Sequence, residues 1–143
     1  MRPFAFPLAG MAACLLASTS ALTAQATTVT TLMAKALTDL PGKEVLMITV
    51  EYAPGAEDSV HRHNAHAFIY VLEGSIVMQV KGGPQVTLNP GQTFYESADD
   101  VHVVGRNAST TRPARFLVLF VKAMGSPPLV PVPDHHHRGG GPT

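Results

Sequence analysis

The strongest constraint on the fold is the regular spacing of turn signals between short apolar segments. Turn-forming pairs such as Pro54-Gly55 and Pro90-Gly91 recur through the middle of the chain, and the sequence holds 12 Gly and 12 Pro. The segments between the turns, such as residues 45–52, are short and rich in β-branched residues. Short strands with turns about every 8–12 residues predict an all-β sandwich or barrel.

One segment near the start of the chain fits two kinds of structure. Val29, Leu32, Met33 and Ala36 follow the spacing of an amphipathic helix. The Thr-rich beginning of the same segment favours a strand, because β-branched residues are stiff and pack well in sheets. The segment is therefore left open between helix and strand.

Charged residues are scarce and balanced. The 143 residues include 10 Lys and Arg against 10 Asp and Glu, so 14% are charged, where an average domain has about 25%. Such a chain has no basic field to attract phosphates, which argues against a nucleic acid as its partner.

The two ends of the chain differ from its middle. Arg2, the apolar run 8–22 and the small residues of Ala24-Gln25-Ala26 are typical of an export signal. We therefore expect a signal peptide at residues 1–26, a single domain at 27–124 and a flexible Pro-, His- and Gly-rich tail at 125–143, in a periplasmic or secreted protein. No later stretch reaches the roughly 18 apolar residues of a membrane span, so we expect no stable membrane insertion after cleavage.

Three histidines suggest a metal site. His61 and His63 are two residues apart, so on a strand both imidazoles project from one face. His102, flanked by valines, could complete three ligands and leave a coordination position open for water or substrate.

The surroundings of these histidines resemble the two sequence motifs of the cupin superfamily. Pro54-Gly55, five residues, His61-Arg62-His63 and then Gly74 resemble the first motif, and the segment from Gly91 to His102 and Asn107 resembles the second. The resemblance covers about residues 45–122. It implies a double-stranded β-helix, or jelly-roll barrel, with a metal held by His61, His63 and His102.

The sequence departs from the cupin pattern at the ligand that the family usually takes from a glutamate. Ala67 stands at that position and cannot coordinate a metal. Glu96, predicted to point inward near the metal, could replace the missing glutamate as a fourth ligand or act as a catalytic general base, and His66 is the rival candidate. Ser97 and Asp99 replace the Pro and Gly of the second motif, and Asn107 lies one residue later than expected, which suggests an altered turn before His102.

The resemblance implies a divalent transition metal as cofactor, with Fe, Mn, Ni and Zn all possible, and a small molecule as ligand or substrate. Oxygenase-like (including dioxygenase-like), isomerase-type and lyase-type reactions all occur among cupins. The alternative is a non-catalytic module that binds or senses a metal or a small ligand. Family barrels often dimerise through sheet faces, so a homodimer is a further expectation.

Overall fold

All regular elements in the described part of the protein are β-strands. The computed structural model describes residues 26–132, and within them no helix has the length and apolar character of a membrane span. The ten strands are β1 Thr27–Ala36, β2 Lys43–Tyr52, β3 His61–Arg62, β4 Ala65–Glu73, β5 Ile76–Val80, β6 Val86–Leu88, β7 Thr93–Glu96, β8 His102–Asn107, β9 Ala114–Ala123 and β10 Val130–Pro131.

The strands form two five-stranded antiparallel sheets. The first sheet has the order β1-β2-β9-β4-β7, and the second has the order β10-β3-β8-β5-β6. Ile48, Ile69 and Phe116 from the first sheet share one buried core with Ile76 and Met78 from the second. The all-β jelly-roll prediction is therefore confirmed.

Alternating burial along the strands decides which side chains enter the barrel. In β9, Phe116, Val118 and Phe120 are buried, while the residues between them are only half-buried. This period of two is the pattern that the sequence predicts for a strand with one face on a core.

The segment near the start of the chain that fitted either a helix or a strand is a strand, β1, and it pairs with β2. The register shifts between Thr31 and Met33, which marks a β-bulge at Leu32. A bulge moves the inside-outside alternation by one residue, so the apolar spacing of a bulged strand resembles that of a helix. This explains why the sequence pattern alone did not separate the two structures.

The outer face of the first sheet carries an apolar row across all five strands. In register, this row consists of Met33, Met47, Leu119, Phe68 and Tyr95. Phe68 and Tyr95 are each 48% exposed, and Met33 is 44% exposed. The homodimer expected from the sequence stays a prediction.

The chain after β9 is described as far as residue 132, and this part of the predicted tail includes a short strand. Val130 and Pro131 form β10, which pairs with β3. β3 thus has β8 on one side and β10 on the other. The tail histidines and the predicted signal peptide, apart from Ala26, lie outside the described residues, so the domain boundaries and the export of the protein stay predictions.

Candidate metal centre

Strand pairing brings the three predicted histidines together. His61 on β3 lies directly opposite His102 on β8, and His63 follows immediately after β3. The ring centroid of His61 is 4.8 Å from that of His63 and 4.9 Å from that of His102. One nitrogen atom from each histidine lies within 4.8 Å of the other two, so the group could hold a metal ion.

Backbone carbonyls fix which nitrogen of each histidine faces the site. His61 Nδ1 donates to Ser59 O and His63 Nδ1 donates to Pro128 O, both at 2.7 Å, which leaves each Nε2 as a free lone pair. His102 is reversed, because its Nε2 donates to Val104 O at 2.6 Å and its Nδ1 faces the site. A neutral imidazole whose other nitrogen is held in this way is oriented as a metal ligand.

Glu96 faces these histidines from the end of β7. Its side chain is buried, with Oε1 3.4 Å from His102 Nδ1 and Oε2 3.6 Å from His63 Nε2. Glu96 pairs directly with Ala67 on β4. The carboxylate therefore enters the barrel beside the position from which the family glutamate is missing, but from the neighbouring strand.

Three polar atoms at this point lack any hydrogen-bond partner. Among the described residues, Glu96 Oε1, Glu96 Oε2 and His102 Nδ1 are the buried side-chain atoms in this condition. Native proteins leave few buried polar groups unpaired, so such a cluster calls for an explanation. Three imidazoles and a carboxylate are a donor set that divalent transition metals accept, so the residues present fit a metal ion.

Burial controls the charges of this group. It lowers the pKa of both His63 and His102 to about 4, with the charge of His61 contributing to the lowering in each case. Burial, together with the smaller effect of the Asp100 and Asp58 charges, raises the pKa of Glu96 to about 7. At neutral pH, His63 and His102 are therefore uncharged, as metal ligation requires, and Glu96 can lose its proton to solvent when a cation binds.

His66, the rival candidate, lies outside this group. Its side chain is exposed on the outer face of β4, where Nδ1 is 2.7 Å from the hydroxyl of Tyr95 and the two rings stack. The inside-outside alternation of β4 explains the difference, because Ala67 points inward and its neighbour must point outward.

A cavity of about 150 Å³ opens onto the group. Its walls are mostly apolar, and the described residues that line it include no Lys or Arg. Tyr52 and Asp58 add a polar pair to the lining, and the Tyr52 hydroxyl donates to Asp58 Oδ2. Burial raises the pKa of Asp58 above its usual range. It also raises the pKa of Tyr52 far above the usual value of a tyrosine. Sequence patterns carried no signal for this pair.

The late position of Asn107 has a structural explanation. Gln79 pairs with Val104 and Val80 pairs with His102, so Val103 is an extra residue in a β-bulge of β8. The bulge lets both His102 and Asn107 face inward although one more residue separates them than in the family motif. The sequence predicted an altered turn before His102, whereas this bulge comes directly after His102.

The same strand approaches His102 at Gly105. A Cβ atom at this position would lie 2.8 Å from His102 Cε1 and 3.1 Å from the Tyr52 hydroxyl, closer than normal packing allows. We expect Gly105→Ala to displace the His102 ring and to lower Zn²⁺ affinity about 10- to 100-fold, the range seen when the support of a metal ligand is lost. Isothermal titration with Zn²⁺ measures the change.

Arg106→Ala is the matched control for this prediction, because Arg106 is the next residue of β8 and projects to the opposite face. Its affinity should equal that of the wild type. An unchanged affinity in Gly105→Ala would show that the close approach of Gly105 does not orient His102.

The fold and the site together define a jelly-roll barrel with a histidine group at the mouth of its cavity. The chain belongs to the Cupin domain family, Cupin_2, whose model matches residues 48–120. The family membership predicted from the two motifs is therefore confirmed. No curated protein matches this sequence.

Solved structures with similar folds include enzymes and regulatory domains. The DMSP lyase DddQ from Ruegeria pomeroyi is 23% identical with a TM-score of 0.54, over 61% of this chain and 42% of that one. The Cupin_2 domain of an XRE family transcriptional regulator from Enterobacter cloacae is 28% identical with a TM-score of 0.53, over 67% of this chain and 96% of that one. A cupin domain from Bordetella pertussis is 18% identical with a TM-score of 0.55, over 71% and 99%. The chain thus spans less than half of the lyase, and the similarity establishes a shared fold.

Proposed function

We propose that the protein is a metal-dependent cupin enzyme that acts on a small molecule, with one divalent transition metal held by His61, His63, His102 and Glu96. The unpartnered atoms of Glu96 and His102 carry this proposal. Each buried polar group without a partner costs about 1–3 kcal/mol, and a cation between these atoms would remove that cost. Fe, Mn, Ni and Zn all accept histidine and carboxylate ligands, so the donor set does not select among them.

The cavity beside the histidine group supports a function in which a small molecule reaches the metal. When bound, the metal would supply Lewis acidity that polarises a carbonyl or carboxylate oxygen of the substrate. The mostly apolar cavity leaves room for a compact molecule. Because both oxygens of Glu96 face histidines, we assign this carboxylate to metal binding, and we assign proton transfer to Asp58, which Tyr52 holds in place.

We further propose a lyase-type reaction. The Asp58 carboxylate takes a proton from a substrate carbon, the released electron pair forms a carbon-carbon double bond, and the leaving group departs with the electrons of its broken bond. The raised pKa of Asp58 makes it a stronger base than an exposed aspartate. An elimination needs no oxidant, unlike the oxygenase reactions that the sequence left open, and two of the similar structures are of DMSP lyases.

Asp58→Asn separates proton transfer from metal binding. We expect the metal-loaded wild type to convert some members of a panel of small carboxylates with β-leaving groups into alkenes, detected by proton NMR. The side-chain amide of the variant cannot accept the proton, so turnover should fall by about 100- to 10,000-fold while Zn²⁺ affinity is kept. Glu57→Gln, at an exposed neighbouring residue, should behave like the wild type.

Two outcomes would contradict this account of the reaction. Equal turnover in Asp58→Asn and the wild type would remove Asp58 as the base. Measurable binding of panel members by the metal-loaded wild type, with no turnover of any, would favour the alternative of a non-catalytic binding module.

A further inference from the structure

The segment that follows β9 crosses the mouth of the barrel. We call residues 124–132 the C-terminal strap. It leaves the first sheet at the end of β9 and joins the second sheet as β10, whose Val130 pairs with Arg62 and whose Pro131 pairs with His61. Pro128 and Leu129, in the middle of the strap, line the cavity beside His63. The strap is therefore paired with the strand that carries the first histidine.

The strap contributes the only polar contact that the described residues give to His63 Nδ1. Pro128 O accepts this hydrogen bond at 2.7 Å. A neutral imidazole carries its proton on one nitrogen or the other, and an Nε2–H tautomer would have no lone pair directed at the site. The Pro128 carbonyl therefore selects the tautomer in which His63 can bind a metal.

A buried ion pair holds the start of the strap. Lys122 on β9 is 4% exposed, and its Nζ donates to Glu44 on β2, to Ser126 O at 2.6 Å and to Ala123 O at 3.3 Å. Glu44 also accepts from the backbone nitrogen of Gly125 at 3.2 Å. Two strands of the first sheet thus fix the strap two residues before Pro128.

We propose that the C-terminal strap is part of the metal centre, and that Lys122 and Glu44 are positioning residues that hold Pro128 O against His63 Nδ1. This proposal rests on the proposed function, since it assigns the strap a role toward the same metal. Neither Lys122 nor Glu44 contacts the histidine group itself. Their effect on the metal passes through the backbone of the strap and the tautomer of His63.

Nitrogen-15 NMR of the histidine rings in the metal-free protein at pH 8 tests the proposal without a bound metal. We expect His63 of the full-length wild type to show the Nδ1–H tautomer alone. Lys122→Met should release the strap and give a mixture of Nδ1–H and Nε2–H forms at His63, while the tautomer of His61, held by Ser59 O, stays unchanged. Zn²⁺ affinity should fall about 10- to 100-fold, as when a metal-ligating histidine loses its outer partner.

Two further variants keep the test decisive. Glu44→Gln removes the charge and keeps a hydrogen-bonding oxygen, so it gives a smaller change of the same kind and serves if Lys122→Met does not fold. Arg115→Met breaks an exposed ion pair with Glu73 on the same strand as Lys122, and it should leave both the His63 tautomer and the Zn²⁺ affinity unchanged.

The outcomes separate this proposal from the proposed function. A pure Nδ1–H tautomer at His63 in both Lys122→Met and Glu44→Gln, or a mixed tautomer with wild-type Zn²⁺ affinity, would overturn the role of the strap. Failure of the wild type to bind any divalent transition metal would overturn the proposed function, and the His63 tautomer would still decide whether the strap positions this ring.

Discussion

Replacing His102 with alanine will lower the affinity of the protein for Zn²⁺ by more than about 100-fold. His102 provides the unpaired Nδ1 that faces Glu96, and it lies opposite His61 in the strand register. Loss of an outer partner of a metal ligand already costs about 10- to 100-fold in affinity, so loss of the ligand itself should cost more. His61→Ala should have an effect of similar size, because it removes a second nitrogen of the same group.

The control for these variants is His66→Ala. His66 belongs to the same cluster in the sequence but lies on the outer surface against Tyr95. Its removal should leave Zn²⁺ affinity unchanged in isothermal titration. Equal affinities in His66→Ala and His102→Ala would mean that Zn²⁺ binds somewhere other than the barrel.

Replacing Glu96 with glutamine will have opposite effects on metal binding and on the stability of the metal-free protein. Burial raises the pKa of Glu96 to about 7 from an ordinary value of 4.5, so the folded protein holds this proton more tightly than the unfolded chain. The contribution of Glu96 to the free energy of unfolding should therefore fall as the pH rises from about 4.5 through about 7. One pKa unit corresponds to about 1.4 kcal/mol, so the loss at pH 8 amounts to about 3 kcal/mol.

Glutamine has no charge to bury, so Glu96→Gln should not show this loss. We expect the metal-free variant to be more stable than the wild type at pH 8, by up to about 3 kcal/mol, and similar to it near pH 5. Urea unfolding at the two pH values measures the difference. The same variant should bind Zn²⁺ at least about 10-fold more weakly, because an amide is a poorer metal ligand than a carboxylate.

Glu73→Gln is the control, since Glu73 is largely exposed and forms only a surface ion pair with Arg115. Its stability should match that of the wild type within about 1 kcal/mol at both pH values. A Glu96→Gln protein that is less stable than the wild type at pH 8 would show that the carboxylate stabilises the metal-free fold. In that case the unpaired oxygens would no longer indicate a metal.

Two histidines of the site should lower the free energy of unfolding at acid pH. Burial lowers the pKa of His63 and His102 to about 4, so these rings bind protons less tightly when folded than when unfolded. Their contribution to stability is lost as the pH falls from about 6.5 through about 4. Both the wild type and Glu96→Gln contain these histidines, so this loss cancels when the two proteins are compared at one pH.

The parts of the structure that follow from side-chain patterns could be predicted from the sequence. Turn residues and β-branched segments predict the strands, and the two-residue spacing of His61 and His63 places both rings on one face. The parity of Glu96 with Phe94 on one strand predicts that Glu96 points inward, and its position in the structure agrees with this. Its role as a ligand stays a prediction.

The parts that depend on register and on backbone atoms could not be predicted. A one-residue bulge at Val103 leaves no mark in composition, and neither does the bulge that made β1 resemble a helix. The hydrogen bond from His63 is accepted by a backbone carbonyl in a Pro-rich segment, where no side-chain pattern indicates packing. For the same reason no side-chain pattern indicated the strap, and the tail predicted at residues 125–143 stays a prediction as a whole.

X-ray absorption spectroscopy at the zinc edge of the full-length, Zn²⁺-loaded protein counts the imidazole ligands of the bound metal. We expect one Zn²⁺ per chain, with scattering from three imidazoles in the wild type, two in His102→Ala and three in His66→Ala. A wild-type spectrum with fewer than three imidazole ligands, or one that His102→Ala leaves unchanged, would contradict a metal centre built from His61, His63 and His102.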